Sequence, residues 1–129
     1  MYQNKNVAGL WIDHEHAFLI STPDKNFDGE YGVIEKLKAP HHGSHTSSEN
    51  AHHHKISQEL HKFFKQIANH LAGYDVILIT GPGKAQEEFN NYIKSEGLLR
   101  TVEIGLSPAD THLTQNQVIA KVRGHFHKV

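Results

Sequence analysis

The chain has 129 residues, no Cys, and 13 Lys+Arg against 14 Asp+Glu, which gives a formal charge of −1. This length suits one domain around one core, so we expect residues 1–129 to form a single domain, and the lack of Cys excludes disulfides, thiolate metal sites and a cysteine nucleophile. No apolar run approaches the roughly 18 residues of a membrane span, and the N-terminus has no hydrophobic signal region, so we expect a cytoplasmic protein.

Charge and histidine are unevenly distributed along the chain. Thirteen residues are His, and because free His titrates near ~6.5, the net charge depends strongly on pH around neutrality. The segments 1–37, 38–72, 73–113 and 114–129 carry net charges of −3, +2, −3 and +3. The second and fourth segments are therefore the candidates for surfaces that face an anionic partner.

The first 40 residues predict three strands. Two apolar runs within residues 7–21 flank the polar residues 13–16, which predicts a hairpin, and a third strand follows at Tyr31–Lys38. Pro40 ends that strand. Residues 41–50 are small and polar, which indicates an exposed and mobile loop.

The next segment predicts a long amphipathic helix at about Ala51–Leu71, because its apolar residues recur at helical spacing. These residues are Ile56, Leu60, Phe63, Phe64, Ile67, Ala68 and Leu71. A short apolar run at Val76–Ile79 predicts a central parallel strand, and residues 85–96 predict a second helix.

The C-terminal part predicts a fifth strand at Thr101–Gly105 and a last helix. Thr114 with Gln117 three residues later forms a capping box, and the apolar face of this helix comprises Val118, Val122 and Phe126.

The element order βββαβαβα predicts an α/β domain with a five-stranded mixed sheet and helices packed on it. We expect the first three strands to be antiparallel and the last two to run parallel to the first, because parallel neighbours need a helical crossover. The ribonuclease H-like fold has this order.

Three stretches resemble a known family: GLWIDHEHAFLI (9–20), FFKQIANHLAGYDVILITGPGKAQEEF (63–89) and ADTHLTQNQVIAKVRGHF (109–126). They resemble the middle domain of the class I peptide-chain release factors of eukaryotes and archaea, and of the ribosome-rescue protein Pelota. They resemble more closely a group of small bacterial translational machinery proteins related to that domain. The resemblance implies a component of the translation machinery whose partner is the ribosome, tRNA or rRNA.

In the resembling release factors, a Gly-Gly-Gln loop joins the third strand to the long helix. The corresponding loop of this chain includes His41, His42, Gly43, Ser44 and His45. It has one Gly and no Gln, so the resemblance does not extend to the residues that carry peptide release.

The same loop offers candidate metal ligands. His41, His42 and His45 could converge on Zn²⁺ or another divalent cation, and Asp13 at the end of the first strand could add a carboxylate. The alternative function is therefore a metal-dependent hydrolase. Residues 37–48 also resemble the His-His-Gly-Ser segment of metallo-β-lactamase-like hydrolases, but the chain lacks the upstream His-x-His-x-Asp-His cluster that those enzymes need. A nuclease centre at Asp13 would need several converging acids, and the matching strand end Thr80-Gly81 offers none. The sequence therefore favours Asp13 as a turn or capping residue.

Two further motifs lie between predicted elements. Gly81, Gly83 and Lys84 join a strand to a helix, where they could hold a phosphate or form a tight turn. Asp110 and His112 precede the last helix. They could pair so that the His acts as a general base, or they could fix the entry into the helix.

The basic final helix supplies the cations Lys121, Arg123 and Lys128. Together with the loop 41–48, they are the predicted contact residues of a translation-associated binding module without peptide-release activity. No catalytic residue is assigned, and a small homo-oligomer is compatible with the sequence.

Overall fold

The computed structural model describes residues 2–39, 49–82, 84–109 and 113–126, and within these ranges it describes all side chains except those of 49–57 and 109. The elements follow the predicted order. They are β1 (Val7–Ile12), β2 (His16–Ser21), β3 (Gly32–Lys38), α1 (Glu49–Leu71), β4 (Val76–Pro82), α2 (Ala85–Ser95), β5 (Glu103–Ala109) and α3 (Gln115–Phe126). None of the helices in the described ranges combines the length and the hydrophobicity of a membrane span.

The five strands form one mixed sheet in the order β3-β2-β1-β4-β5. β1 pairs antiparallel with β2, and β2 pairs antiparallel with β3. β4 pairs parallel with β1 and with β5. The predicted strand directions are thus confirmed, and α1 and α2 provide the connections that lead into the parallel strands β4 and β5.

β1 lies at the centre of the sheet, and all six of its residues are buried. Because successive side chains of a strand point to opposite faces, β1 contributes to two separate cores. Ala8, Leu10 and Ile12 belong to the core beneath α1 and α2. Val7 and Trp11 belong to the core beneath α3.

The first core is built on the predicted apolar stripe of α1. Phe63, Phe64, Ile67, Ala68 and Leu71 are all buried, which confirms the phase of this helix. Leu60 is partly buried against the same core, and the side chain of Ile56 lies outside the described part of the chain.

The ring of Phe64 links α1 to α2. Its centroid lies 5.4 Å from that of Phe89 and 5.6 Å from that of Tyr92. These contacts fix α2 beside α1 on the same face of the sheet, where aromatic pairs at such distances contribute beyond their buried area.

The second core depends on α3, whose Val118, Val122 and Phe126 are buried as predicted. The predicted capping box is present: the backbone N–H of Thr114 donates to Gln117 Oε1 at 2.8 Å, and that of Gln117 donates to Thr114 Oγ1 at 3.2 Å. The helix also approaches β1 very closely, because a Cβ placed on Gly9 would overlap the side chain of Val122.

Three predicted boundaries are wrong. The fourth strand spans Val76–Pro82 and not Val76–Ile79, because its last residues continue the pairing with β5. The fifth strand spans Glu103–Ala109 and not Thr101–Gly105, because it pairs with β4 in register from Val76↔Glu103 to Pro82↔Ala109. As an edge strand, β5 tolerates Pro108, which has no backbone donor. Helix α1 begins at Glu49, so residues 49–50 are helical and do not belong to the predicted loop.

We predict that Gly9→Ala lowers the free energy of unfolding by about 1–3 kcal/mol, the usual cost of overpacking a filled core. In a Val122→Ala background the cost should be much smaller, because the two Cγ atoms that approach the new methyl group most closely are gone. Urea unfolding of the four proteins of this cycle measures the coupling.

Gly32→Ala is the matched control, because no atom lies within 4 Å of a Cβ placed there. Equal losses from Gly9→Ala and Gly32→Ala would contradict the close approach of α3 to β1.

Candidate functional site

The carboxyl ends of the parallel strands β1, β4 and β5 meet at one edge of the sheet. Open α/β sheets commonly bind ligands at this edge. Three of the sequence-predicted residues that the structure describes lie there: Asp13 follows β1, Gly81 lies near the end of β4, and Lys84 precedes α2.

Asp13 closes the turn between β1 and β2. Its Oδ1 accepts hydrogen bonds from the backbone N–H of Glu15 at 2.7 Å and of His16 at 2.8 Å. Its Oδ2 accepts from the indole Nε1 of the buried Trp11 at 3.0 Å. The His16 Nδ1 also lies 3.3 Å from Oδ1. Both carboxylate oxygens therefore hold the hairpin, as the reading of Asp13 as a turn residue predicts.

These contacts also set the protonation of Asp13. Burial by itself raises the pKa of this carboxyl, but the hydrogen bonds from His16, Trp11 and Glu15 together outweigh burial, and the net pKa is lowered. The group is thus an ionised acceptor at neutral pH, which strengthens the hydrogen bonds that it accepts.

The metal-dependent alternative gains no support from the described residues. Among them, no group of three or more His, Asp or Glu could hold a metal ion, and the carboxylate of Asp13 is engaged by the hairpin. The candidate ligands His41, His42 and His45 lie outside the described residues.

Gly81 has a structural role. Its φ of 156° is rare for other residues, and a Cβ placed on it would overlap the carbonyl oxygen of Ile12 in β1. The Gln86 Nε2 donates to the Gly81 carbonyl at 2.9 Å. Gly81 therefore allows the ends of β4 and β1 to come together. It lies within β4, where it pairs with Pro108, and not in the tight turn that the sequence offered as one alternative.

The charge around Lys84 disfavours a bound phosphate. Lys84 is exposed at the start of α2, but Glu87 and Glu88 occupy the first turn of this helix and already complement its positive dipole. The His14 Nε2 lies 3.2 Å from Glu88 Oε2, which joins the hairpin turn to α2. The candidate Gly83 is outside the described residues.

Helix α3 presents the predicted basic residues Lys121 and Arg123. Arg123 is exposed and Lys121 is partly exposed. The helix has no Asp or Glu along Gln115–Phe126, so no acidic side chain within it offsets these cations. The candidates Asp110, His112 and Lys128 lie beyond the described part of the chain.

Sequence reasoning missed one cluster, made of His16 and Phe18 on β2 and of Lys36 and Lys38 on β3; we name it the β2–β3 patch. The register pairs His16 with Lys38 and Phe18 with Lys36. The rings of His16 and Phe18 lie 4.8 Å apart, and the Lys36 Nζ lies 5.8 Å from the Phe18 centroid. The sequence shows that the two members on each strand are two residues apart and so share a face, but it does not show how the strands pair.

Comparison with known proteins identifies relatives of the fold only. No protein-family model and no curated protein matches the sequence. Among solved structures, Pelota of Archaeoglobus fulgidus matches with a TM-score of 0.56 and 13% identity over 98% of this chain and 35% of that chain. Pelota of Thermoplasma acidophilum gives 0.53 and 20% over 84% and 29%. Archaeal Pelota bound to the ribosome with ABCE1 gives 0.54 and 15% over 93% and 32%.

These matches confirm that the chain shares the fold of part of archaeal Pelota. The chain spans about a third of the length of those proteins. The predicted relation to release factors and to small bacterial proteins stays a prediction.

We predict that Asp13→Asn lowers the free energy of unfolding by about 1.5–3 kcal/mol near pH 6, because the amide cannot replace both charge-assisted acceptors. The pKa of Asp13 is lower in the folded protein than its ordinary value, so its contribution is complete above the unfolded pKa of about 3.9. That contribution is lost as the pH falls through the folded pKa. The difference between the two proteins should therefore shrink on acidification, which urea unfolding between about pH 6 and pH 3 would measure.

Asp24→Asn, at an exposed turn position, is the control and should leave stability nearly unchanged. Parallel stability profiles for wild type and Asp13→Asn across this pH range would contradict the assigned role of Asp13.

Proposed function

We propose that this chain is a translation-associated binding module that contacts the ribosome or its RNA and carries no peptide-release chemistry of its own. The observation that carries the proposal is the fold shared with archaeal Pelota, one of whose matching structures is ribosome-bound. The strand order β3-β2-β1-β4-β5 with its mixed directions supports assignment to the ribonuclease H-like fold. The relation to the middle domain of release factors is part of the same proposal.

The charge of α3 supports an anionic partner. Lys121 and Arg123 project from a helix that has no acidic residue, and three apolar residues of this helix anchor it to the sheet. Fixed cations on a packed helix bind phosphates with little loss of backbone freedom. The C-terminal helix is therefore the proposed ribosome-contacting element.

The absence of release chemistry is argued from the loop sequence. His42-Gly43-Ser44 has a His where the release factors have a Gly and a Ser where they have a Gln. A Ser hydroxyl is shorter than a Gln amide, and misplacing a group that positions the attacking water can cost orders of magnitude in rate.

We predict that the protein cosediments with ribosomes from a cell lysate at low salt and dissociates at high salt, because contacts with phosphates weaken as salt rises. The double variant Lys121→Gln/Arg123→Gln should bind several-fold more weakly at the same salt concentration. Quantifying the protein in the ribosome pellet measures both effects.

The matched control is Lys62→Gln/Lys65→Gln, which removes the same charge from exposed positions of α1. Equal losses from the two double variants would show that α3 is not the contact. No pelleting of the wild type at any salt concentration would remove the ribosome from the proposal.

We also predict that the protein does not stimulate hydrolysis of peptidyl-tRNA on programmed ribosomes. Release above background that disappears in Gly43→Ala would contradict this prediction and make the loop 41–48 catalytic. Metal analysis of untagged protein tests the hydrolase alternative directly, since stoichiometric zinc or manganese would favour it.

A further inference from the structure

The β2–β3 patch carries its charge on one face of an edge strand. In β3, Lys36 and Lys38 lie opposite Phe18 and His16, whereas Glu35 lies opposite Leu19 of the other core. Alternation along the strand therefore places the two lysines on the opposite face from Glu35, the acid that precedes them. Both lysines are exposed.

The ring of Phe18 is held in place and is still accessible. Phe18 packs against the core beneath α3 but remains partly exposed, and His16 lies against its ring. The Lys36 Nζ lies near the roughly 6 Å limit of a cation–π contact, so this contact is weak and the side chain can turn toward a phosphate.

A shallow groove of 260 Å³ lies over the patch and is lined also by Glu15 and Leu37. This volume is below the roughly 300–1,000 Å³ of sites that enclose a whole small ligand. The groove accommodates one planar ring stacked on the ring of Phe18. Because β3 is an edge strand, a polymer that carries the stacked ring can extend beyond the edge of the sheet.

We propose that the β2–β3 patch binds single-stranded RNA by stacking one base on Phe18 and His16 while Lys36 and Lys38 contact the adjoining phosphates. Sequence-tolerant binding of single strands combines these two features, an aromatic platform and flanking cations. Glu15 on the rim is the one acidic side chain lining the groove, against two lysines. The site is separate from the exposed cations of α3 and does not rest on the proposed ribosome association.

The test measures binding of a fluorescein-labelled ten-nucleotide oligo(U) by fluorescence anisotropy across a salt series. Phe18→Leu keeps an apolar side chain against the core but removes the ring, and we expect about 5- to 150-fold weaker binding, the effect of losing one base stack. Lys36→Gln/Lys38→Gln should reduce the slope of log affinity against log salt by about 1.4, or about 0.7 for each phosphate contact.

Lys62→Gln/Lys65→Gln is again the control, because it removes the same charge from a distant surface. These residues lie on α1, which packs on the opposite face of the sheet. Circular dichroism and urea unfolding show that each variant is folded. If Phe18→Leu does not fold, comparison of the two lysine double variants still distinguishes binding at the patch from nonspecific electrostatic attraction.

The proposal would be overturned by no binding of oligo(U) by the wild type at low salt, by equal weakening in the two lysine double variants, or by equal affinity of the wild type and folded Phe18→Leu. A duplex RNA of the same length should bind more weakly, because its bases are not free to stack on protein rings. Tighter binding of the duplex would also contradict the stacking platform. If oligo(dT) bound as tightly as oligo(U), the patch would recognise single strands without selecting RNA. That result would contradict the assignment of RNA as the ligand.

Discussion

Burial of β1 on both faces, together with pairing along both of its edges, constrains every element around it. β2 and β4 occupy its two edges, α1 and α2 cover one face, and α3 covers the other. Because both faces of this strand are packed, a larger side chain on it would overlap its neighbours. Gly9 is required where α3 crosses it, and Gly81 is required where the end of β4 meets the carbonyl of Ile12. These two close contacts allow α3 and β4 to pack directly against β1.

The same strand connects the core to the surface through Trp11 and Asp13. The indole is buried under α3, and its one donor reaches the carboxylate that also closes the turn into β2. A buried indole N–H without an acceptor would destabilise the fold, so the hairpin and the core support each other. The carboxylate at this strand end thus has a structural role in both the hairpin and the core.

The surfaces left open by this arrangement differ in charge. Acidic side chains occupy the first turn of α2, whereas the described part of α3 has only basic charged residues. The exposed part of β3 separates its lysines from Glu35 by strand alternation. The two basic surfaces involve different elements. One is a helix that presents cations alone, which suits phosphate contacts, and the other adds aromatic rings, which suit bases.

The sequence by itself determined the order of the elements, the hairpin, the buried stripes of α1 and α3 and the capping box at Thr114, because these depend on local periodicity and on contacts between near neighbours. It also indicated that Asp13 is a turn residue. Tertiary structure alone decided the ends of β5, since its length follows from pairing with β4 and not from its own residues. It alone decided which glycines are indispensable, since close approach depends on a partner distant in sequence. The β2–β3 patch became visible for the same reason: a bulge between Leu19 and Ile20 sets the register, and only the register places Lys36 beside Phe18.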